Sequence, residues 1–212
     1  MKTSEKNIER LLLYRRILIS FKNIGKTNIY SKQLASLADS TPAQVRRDIM
    51  SIGYSGSPVH GYDLEKLIDS ISEFLDSNNL QKVALVGLGH LGRSIIDYFQ
   101  GRRPKLMIAA VFDRDPDKID RVMHGCRCYS NEKILKVIPK ENINIAIIAV
   151  PASGAQDVAD LLVQAGIKGI LNYAPVKLTL PPDIYVENRD MILAVEKVAY
   201  FARKITTEGS ST

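Results

Sequence analysis

The chain has 212 residues, of which 45% are apolar, so it can fill one large core or two small ones. It has no apolar run of the roughly 18 residues that a membrane span needs, and no N-terminal signal-peptide pattern. Its two cysteines are too few for a disulfide framework. All three observations favour the cytoplasm. The net charge of +6 lies entirely in residues 1–62, where ten Lys and Arg residues outnumber four acids, and this asymmetry favours a polyanionic partner for that segment.

The first predicted elements are three helices separated by turns. Apolar residues at helical spacing predict an amphipathic helix over 4–21 and a short helix over about 31–38. A third helix opens at Thr41, which can cap it, with Pro42 at the first helical position and Gln44 completing a capping box. Three start signals therefore coincide at this helix.

A glycine-rich segment follows the third helix. The helix ends at Gly53, and residues 53–62 contain three glycines and a proline, enough for a tight β-hairpin or loop. A fourth helix begins at Asp63, and the polar run at 76–79 marks a domain boundary. Helix, turn, capped helix and glycine-rich hairpin in this order are typical of a winged helix-turn-helix.

The third helix is the candidate recognition helix. Side chains near its N-terminal half would reach base edges and phosphates, and arginine suits contact with guanine or phosphate. The candidate DNA-binding residues are Gln44, Arg46, Arg47, Ser51 and, in the hairpin, His60. A small helical bundle with a charged surface is the alternative for this segment.

After residue 80 the pattern changes to alternating strands and helices. Four continuous apolar runs of strand length indicate a parallel sheet covered on both faces: Val83–Val86, Met107–Phe112, Ile145–Val150 and Gly169–Tyr173. Helices are expected at about 90–100, 131–137, 153–165 and 190–204, with a last strand at Ile184–Val186. The predicted fold is α/β, with a winged helix-turn-helix at 1–78, a Rossmann-type domain at 79–188, and a C-terminal helix and tail at 189–212.

The first of these strands is followed directly by a glycine fingerprint, Gly87-Leu88-Gly89-His90-Leu91-Gly92, which opens a helix. Gly87 suits the tight turn, Gly89 lets the backbone approach a pyrophosphate, and Gly92 permits close packing of helix on strand. The phosphates would lie at the helix N-terminus, where free N–H groups and the helix dipole favour anions. The motif predicts a dinucleotide site that includes these three glycines together with His90 and Leu91.

The adenosine end of that site is predicted at Asp113, which lies 21 residues after Gly92 and ends the next strand. Its carboxylate would accept hydrogen bonds from the ribose and repel a 2′-phosphate, so NAD(H) is favoured over NADP(H). The adjacent Arg114 keeps NADP(H) open. Other candidates lie at the carboxyl ends of later strands, where ligands bind in open α/β sheets: Val150, Pro151, Ala152, Asn172, Tyr173 and Ala174.

The features of an enzyme are missing. Only about 30 residues follow the last site motif, too few for a substrate domain, and one of the three histidines lies near the glycine fingerprint to serve as an acid or base. The segment from His124 through Cys126 to Cys128 spaces three possible metal ligands, but with no fourth ligand nearby a surface loop with a short strand is favoured. We expect no catalytic residue and no metal.

With both halves described, the chain resembles the Rex family of bacterial redox-sensing repressors over essentially its whole length. The match is carried by Tyr14-Arg15-Arg16, by Ala43-Gln44-Val45-Arg46-Arg47-Asp48, by Gly61-Tyr62-Asp63, by the fingerprint running on through Arg93, and by the block from Val150 to Pro175. The resemblance implies a homodimer that represses respiratory and fermentative genes from a palindromic operator. NADH would close the dimer and release the DNA, with NAD+ competing weakly.

The resemblance also implies that C-terminal helices are exchanged between subunits, which suits a helix that is apolar nearly all round. It assigns a switch to Arg16, Tyr98 and Asp190, and cofactor contact to Met191 at the start of the exchanged helix. Three departures stand out: the hairpin carries only His60 where relatives have Lys and Arg, His90 stands where relatives often have Asn, and Met191 stands where they have Leu or Phe.

Two other functions remain open on the residues alone. One is an NAD-dependent oxidoreductase with a fused helical domain. The other is a nucleotide- or CoA-binding module with an interaction domain. Oxidation of NADH with candidate substrates, compared with the effect of NADH on a DNA complex, separates them.

Overall fold

The structure is a computed structural model that describes residues 4–77, 79–99, 105–123 and 125–209, with side chains described up to 205 in the last range. His124, from the possible metal cluster, and residues 210–212 of the expected tail lie outside the described residues. The chain divides into two units, Met1–Asn78 and Asn79–Thr212.

The first unit is a small winged helix-turn-helix. Its elements are α1 (Glu5–Asn23), β1 (Asn28–Ile29), α2 (Ser31–Leu37), α3 (Pro42–Ser51), β2 (Tyr62–Asp63) and α4 (Leu64–Leu75). Side-chain caps define three of the helix starts, because Ser4, Thr41 and Asp63 each accept a hydrogen bond from a backbone N–H three residues later. The expected cap at Thr41 is therefore confirmed.

The segment after α3 forms a wing, but its pairing differs from a simple hairpin. Within residues 53–61 one isolated bridge joins Ser57 and Gly61, and β2 pairs antiparallel with β1 near the start of the unit. Gly61 is required at the bend, because its φ is +70° and a Cβ there would lie 2.5 Å from the carbonyl oxygen of Ile29. The wing is thus tied to the turn before α2, a long-range pairing that local sequence does not reveal.

The second unit is a seven-stranded sheet with helices on both faces. In chain order its elements are β3 (Gln81–Val86), α5 (His90–Phe99), β4 (Leu106–Asp113), β5 (Val122–Met123), β6 (Cys126–Ser130), a 3₁₀ turn (Asn131–Lys133), α6 (Ile134–Lys140), β7 (Ile145–Ile148), α7 (Ala152–Gln164), β8 (Gly169–Asn172), β9 (Tyr185–Asn188) and α8 (Met191–Gly209). The strand order is β5-β6-β4-β3-β7-β8-β9, and all pairs are parallel except β5 with β6.

Two apolar cores flank this sheet. One contains Ile134, Ile138, Ala159 and Leu162 from α6 and α7, and the other contains Ile95 and Ile96 from α5. Alternate residues of the central strands point into one core or the other, which is why those strands read as continuous apolar runs. The predicted α/β class is confirmed, and the expected strand at Ile184–Val186 lies slightly later, at Tyr185–Asn188.

The short strand expected within 124–128 is present in the described part, but it is a strand of the sheet and is not confined to a surface loop. Cys126 and Cys128 lie in β6, which pairs with β4 through Val111 and Cys128, and the Cys128 side chain is fully buried. Charged and polar residues interrupt this strand, so it lacks the apolar run that marks its neighbours. Among the described residues no three His, Cys, Asp or Glu side chains come together as metal ligands.

The C-terminal helix α8 presents its apolar residues outward within this chain. Large side chains that are at least half exposed on it are Met191, Ile192, Leu193, Val195, Val198, Tyr200, Phe201 and Ile205. Scattered exposed apolar residues are ordinary, but a contiguous apolar helix face marks an interaction surface. Over the part of the chain that is described, none of the helices meets both the length and the apolarity of a membrane span.

Candidate nucleotide cleft and DNA-binding surface

A cleft of about 760 Å³ opens at the carboxyl edge of the sheet, beyond the end of β3. β3 lies between β4 on one side and β7 on the other, so the chain connections leave it in opposite directions. This is the topological switch point at which open α/β sheets bind ligands. Among the predicted cofactor residues, those that line it are Gly87, Gly89, Asp113, Arg114, Val150 and Pro151. The cleft therefore joins the glycine fingerprint with the ends of β4 and β7.

The glycine fingerprint has the packing that a phosphate-binding turn needs. A Cβ on Gly87, whose φ is +99°, would collide with the Ala149 carbonyl oxygen, and a Cβ on Gly92 would collide with the Gly87 carbonyl oxygen. Gly89 has open space within 4 Å of the position of a Cβ, so the backbone there is accessible from the cleft. His90 begins α5 directly after it.

The carboxylate of Asp113 already accepts three hydrogen bonds within the protein. Oδ2 accepts from the Leu88 N–H at 2.6 Å and from the Lys118 ammonium at 3.2 Å, and Oδ1 accepts from the Asp115 N–H at 2.9 Å. Burial by itself would raise the pKa of Asp113, but the two N–H donors and Lys118 lower it below its ordinary value. A carboxylate has about four lone-pair positions. One therefore remains for a ribose hydroxyl, while the others accept from the glycine turn, through Leu88, and from Asp115 and Lys118 in the segment after β4.

Asn172, one of the predicted cofactor residues, is buried at the end of β8. Its Nδ2 donates to the carbonyl oxygen of Val176 and to Asn188 Oδ1, both at 2.9 Å, and its Oδ1 accepts from the Ala174 N–H at 3.0 Å. Its amide is thus used to hold the turn after β8. Of the two predicted residues that follow Asn172, Tyr173 is partly exposed and Ala174 is buried.

A second cavity, of about 710 Å³, lies between that turn and the start of α8. It is lined by Tyr173, Asn188, Arg189, Asp190, Met191, Leu193, Ala194, Glu196 and Lys197. Asp190 caps α8, since its Oδ1 accepts from the Leu193 N–H at 3.0 Å. Of the other two expected switch residues, Tyr98 is exposed on α5 in the same unit and Arg16 is exposed on α1 in the first unit.

In the first unit α3 presents its two arginines outward. Arg46 donates to Ser31 Oγ at 3.2 Å, and Arg47 donates to Gln44 Oε1 at 2.7 Å. The expected capping box is wrong, because Gln44 Oε1 accepts from Arg47 and not from the Thr41 N–H, while Gln44 Nε2 donates to Asp48. Ser51 is exposed, and its hydroxyl donates to the Asp48 carbonyl oxygen of the same helix at 2.6 Å.

Asp48 is the centre of a polar cluster for which sequence reasoning assigned no role. Its buried carboxylate accepts from Arg10 Nε and Nη2 at 2.6 and 2.8 Å, from Gln44 Nε2 at 2.7 Å, from the Tyr14 hydroxyl at 3.0 Å and from Asn7 Nδ2 at 3.2 Å. Burial raises the pKa of Asp48, but these donors, Arg10 first, hold it below its ordinary value. The cluster fixes α3 against α1 and orients the Gln44 amide.

The wing lies beside α3 and borders a cavity of about 440 Å³ that Arg46 and Met50 also line. Two side chains at and just after β1 hold the backbone of the wing. The Asn28 amide donates to the carbonyl oxygen of His60, and the Tyr30 hydroxyl donates to the carbonyl oxygen of Val59. His60 is exposed at its tip. The predicted DNA-binding residues Arg46, Arg47 and His60 are thus accessible, whereas Gln44 is half-buried.

Comparisons with known proteins agree with this geometry. The profile of the CoA binding domain family matches residues 78–176, and that of the family described as putative DNA-binding protein N-terminus matches residues 2–49. The chain is 36% identical over 200 residues to the redox-sensing transcriptional repressor Rex of Brevibacillus brevis, covering 94% of this chain and 97% of that one. It is 37% identical over 201 residues to Rex of Roseiflexus sp., covering 94% and 91%.

A solved structure described as RSP, a Rex-family repressor, matches with a TM-score of 0.89 at 27% identity, covering 99% of both chains. RSP in complex with β-NAD+ and operator DNA has a TM-score of 0.89, and RSP in complex with β-NADH has 0.87. The β-NADH complex is 26% identical to this chain, and the match covers 100% of both chains. The likeness therefore spans both units.

Proposed function

The chain belongs to the Rex family of redox-sensing transcriptional repressors, and we propose that it binds a palindromic operator as a homodimer and leaves it when NADH enters the Rossmann cleft, with NAD+ competing. As a member of that family it is a DNA-binding repressor and not an enzyme. The alternative of an oxidoreductase with a fused helical domain is thereby excluded. The observation that carries the proposal is the full-length match to a repressor solved both with NADH and with NAD+ and operator DNA.

The accessible basic groups of α3 support DNA contact by the first unit. Residues 1–62 of this unit have a net charge of +6, and the exposed arginines lie on α3, the helix that follows the turn. In this arrangement Arg46 and Arg47 reach guanine or phosphate, and His60 of the wing extends the contact. Gln44 contributes through an amide that Asp48 holds in place. A repressor must reach its operator, so we place its action in the cytoplasm.

Preference for the reduced cofactor follows from charge. The nicotinamide ring of NADH is neutral, whereas that of NAD+ carries a positive charge. We place this ring in a pocket built from Ala152, Asn172, Tyr173 and Ala174, with no acid among them to compensate a cation, and desolvating an unpaired charge is costly. NADH should therefore bind more tightly than NAD+.

The exposed apolar residues of α8 support assembly as a homodimer. Eight large apolar side chains of this helix are at least half exposed in the single chain. Exchange of α8 between two copies would bury them and bring Met191 near the partner's cofactor. We assign residues 1–78 to DNA binding, 79–188 to NAD(H) binding and 189–212 to the exchanged helix and tail.

Coupling between the two sites requires two states of the dimer that NADH binds with different affinity. We propose that Arg16, Tyr98 and Asp190 change partners between those states. A phenol and a guanidinium can each donate to one carboxylate, and a rearranged dimer need not keep both bonds. Asp190 is suited to this role because it sits at the start of α8 beside the second cavity.

The test is release of a palindromic operator, selected from random DNA by the protein itself, during titration with NADH, NAD+ or CoA. NADH should release the DNA at the lowest concentration, NAD+ at a much higher one, and CoA not at all. Release by CoA alone would instead favour the CoA-binding alternative. In the Asp190→Ala variant the NADH concentration needed for release should change while the dimer persists. An unchanged concentration would exclude this switch.

A further inference from the structure

Asn131 carries a buried oxygen that the rest of the described chain leaves unsatisfied. Oδ1 of this residue is out of contact with solvent and accepts no hydrogen bond from any described residue, and the side chain lines the nucleotide cleft. Buried polar atoms in folded proteins are nearly always hydrogen-bonded, since an unpaired one loses its hydration without compensation. A donor of a ligand bound in the cleft can complete it when the side-chain amide turns toward the cleft.

The position of Asn131 fixes which part of a dinucleotide it meets. It follows β6 directly, and the preceding residue, Ser130, pairs with Asp113 at the end of β4. It therefore lies on the β4 side of the glycine turn, whereas Tyr173 follows β8 on the other side. If the proposed function holds, the ribose of adenosine lies at Asp113, so Asn131 meets the adenine base.

The chemistry of the cleft matches an adenine edge. Adenine presents its 6-amino donor beside a ring-nitrogen acceptor, and an asparagine amide presents the complementary acceptor and donor. Val150, Val158 and Leu161 line the same cleft and offer apolar contact for the faces of the base. We propose that Asn131 is a specificity-determining residue whose Oδ1 accepts a hydrogen bond from the 6-amino group of the cofactor.

Two other acceptors border the cleft and are less suited. Asp115 is held by Lys118 at 3.2 Å and accepts from the Asp117 N–H at 3.0 Å. Asp157 is exposed, so water can satisfy it when no ligand is bound. Asn131 differs because its oxygen is enclosed, and an enclosed acceptor stays unpaired when the ligand brings no donor.

The experiment compares NADH with reduced nicotinamide purine dinucleotide, in which a hydrogen atom replaces the 6-amino group, so that the donor is lost and no new donor or acceptor is added. Fluorescence of the reduced ring gives both dissociation constants for the full chain. The wild type should prefer NADH by about tenfold. In Asn131→Leu, which is close in shape, the ratio should fall to near one. Asn131→Asp keeps an acceptor, so it should keep the preference even if its charge weakens both ligands.

The matched control is Glu132→Gln, an exposed neighbour in the same turn, which should keep the wild-type ratio. Equal binding of both dinucleotides by the wild type would overturn this inference and leave the proposed function standing. Binding of neither would count against the proposed function itself. A preference that survives in Asn131→Leu but disappears in Asp157→Asn would assign recognition of the base to Asp157 and overturn the proposal.

Discussion

Asp48 in the first unit and Asp113 in the second are both buried carboxylates with lowered pKa values, but different groups hold them. Asp48 accepts hydrogen bonds from four side chains, of Asn7, Arg10, Tyr14 and Gln44. Asp113 accepts from two backbone N–H groups and one lysine. Side-chain donors can be removed by mutation and backbone donors cannot. The DNA-binding unit should therefore depend on many residues at this point, and the nucleotide turn on few.

The largest effect is expected from Asp48→Ala. It leaves Arg10 without its carboxylate in a partly buried position, and breaking such a pair should lower the free energy of unfolding of the first unit by about 3 kcal/mol. Operator affinity should fall with it because the Gln44 amide loses its acceptor. Denaturant unfolding followed by hydrogen exchange separates the two units. Unchanged protection of α1 and α3 would contradict the central place of Asp48.

The second effect separates direct from indirect contact with DNA. Arg46→Ala or Arg47→Ala should weaken operator binding by about 1–3 kcal/mol if the residue contacts a base, and by less if it contacts phosphate. Neither substitution should lower the free energy of unfolding of the first unit as much as Asp48→Ala does, because both arginine side chains are exposed. Anisotropy titrations at several salt concentrations provide the measurement. Wild-type affinity in both variants would exclude α3 as the recognition helix.

A smaller effect sharpens the comparison at Asp113. Lys118→Met removes one donor but leaves both backbone N–H groups, so stability should fall by about 1 kcal/mol or less. The matched change in the first unit, Arg10→Met, removes two hydrogen bonds from Asp48 and should cost clearly more. If unfolding experiments rank the two variants the other way, the distinction between side-chain and backbone donors is wrong.

The smallest effect concerns pH. A carboxyl whose pKa is lower in the folded than in the unfolded state stabilises the fold above the unfolded value, about 3.9 for aspartate. That stabilisation is lost as the pH falls through the folded value. Stability should therefore be flat from pH 7 to about 5 and decline below about 4. The decline should be shallower in Asp48→Asn. An identical profile in that variant would show that Asp48 does not contribute to it.

Much of the fold was predictable because its signals are local. The cap at Thr41, the apolar runs of the central strands and the glycine fingerprint each lie within a few consecutive residues. The missed features depend on distant residues. β6 has no apolar run of its own and is defined by its pairing with β4. The Asp48 cluster joins this residue to side chains of α1 that lie 34 to 41 positions away, and the unsatisfied oxygen of Asn131 becomes visible only in the folded chain.

The most direct test of the account is reciprocity between NADH and operator. If NADH weakens operator binding by some factor, thermodynamic linkage requires operator to weaken NADH binding by the same factor. Fluorescence titration of NADH into the free protein and into the protein saturated with operator provides both numbers. We predict a higher dissociation constant for NADH on the DNA complex, by the factor seen in operator release, and a much smaller change for NAD+. Equal NADH affinity with and without operator would contradict a redox-sensing repressor.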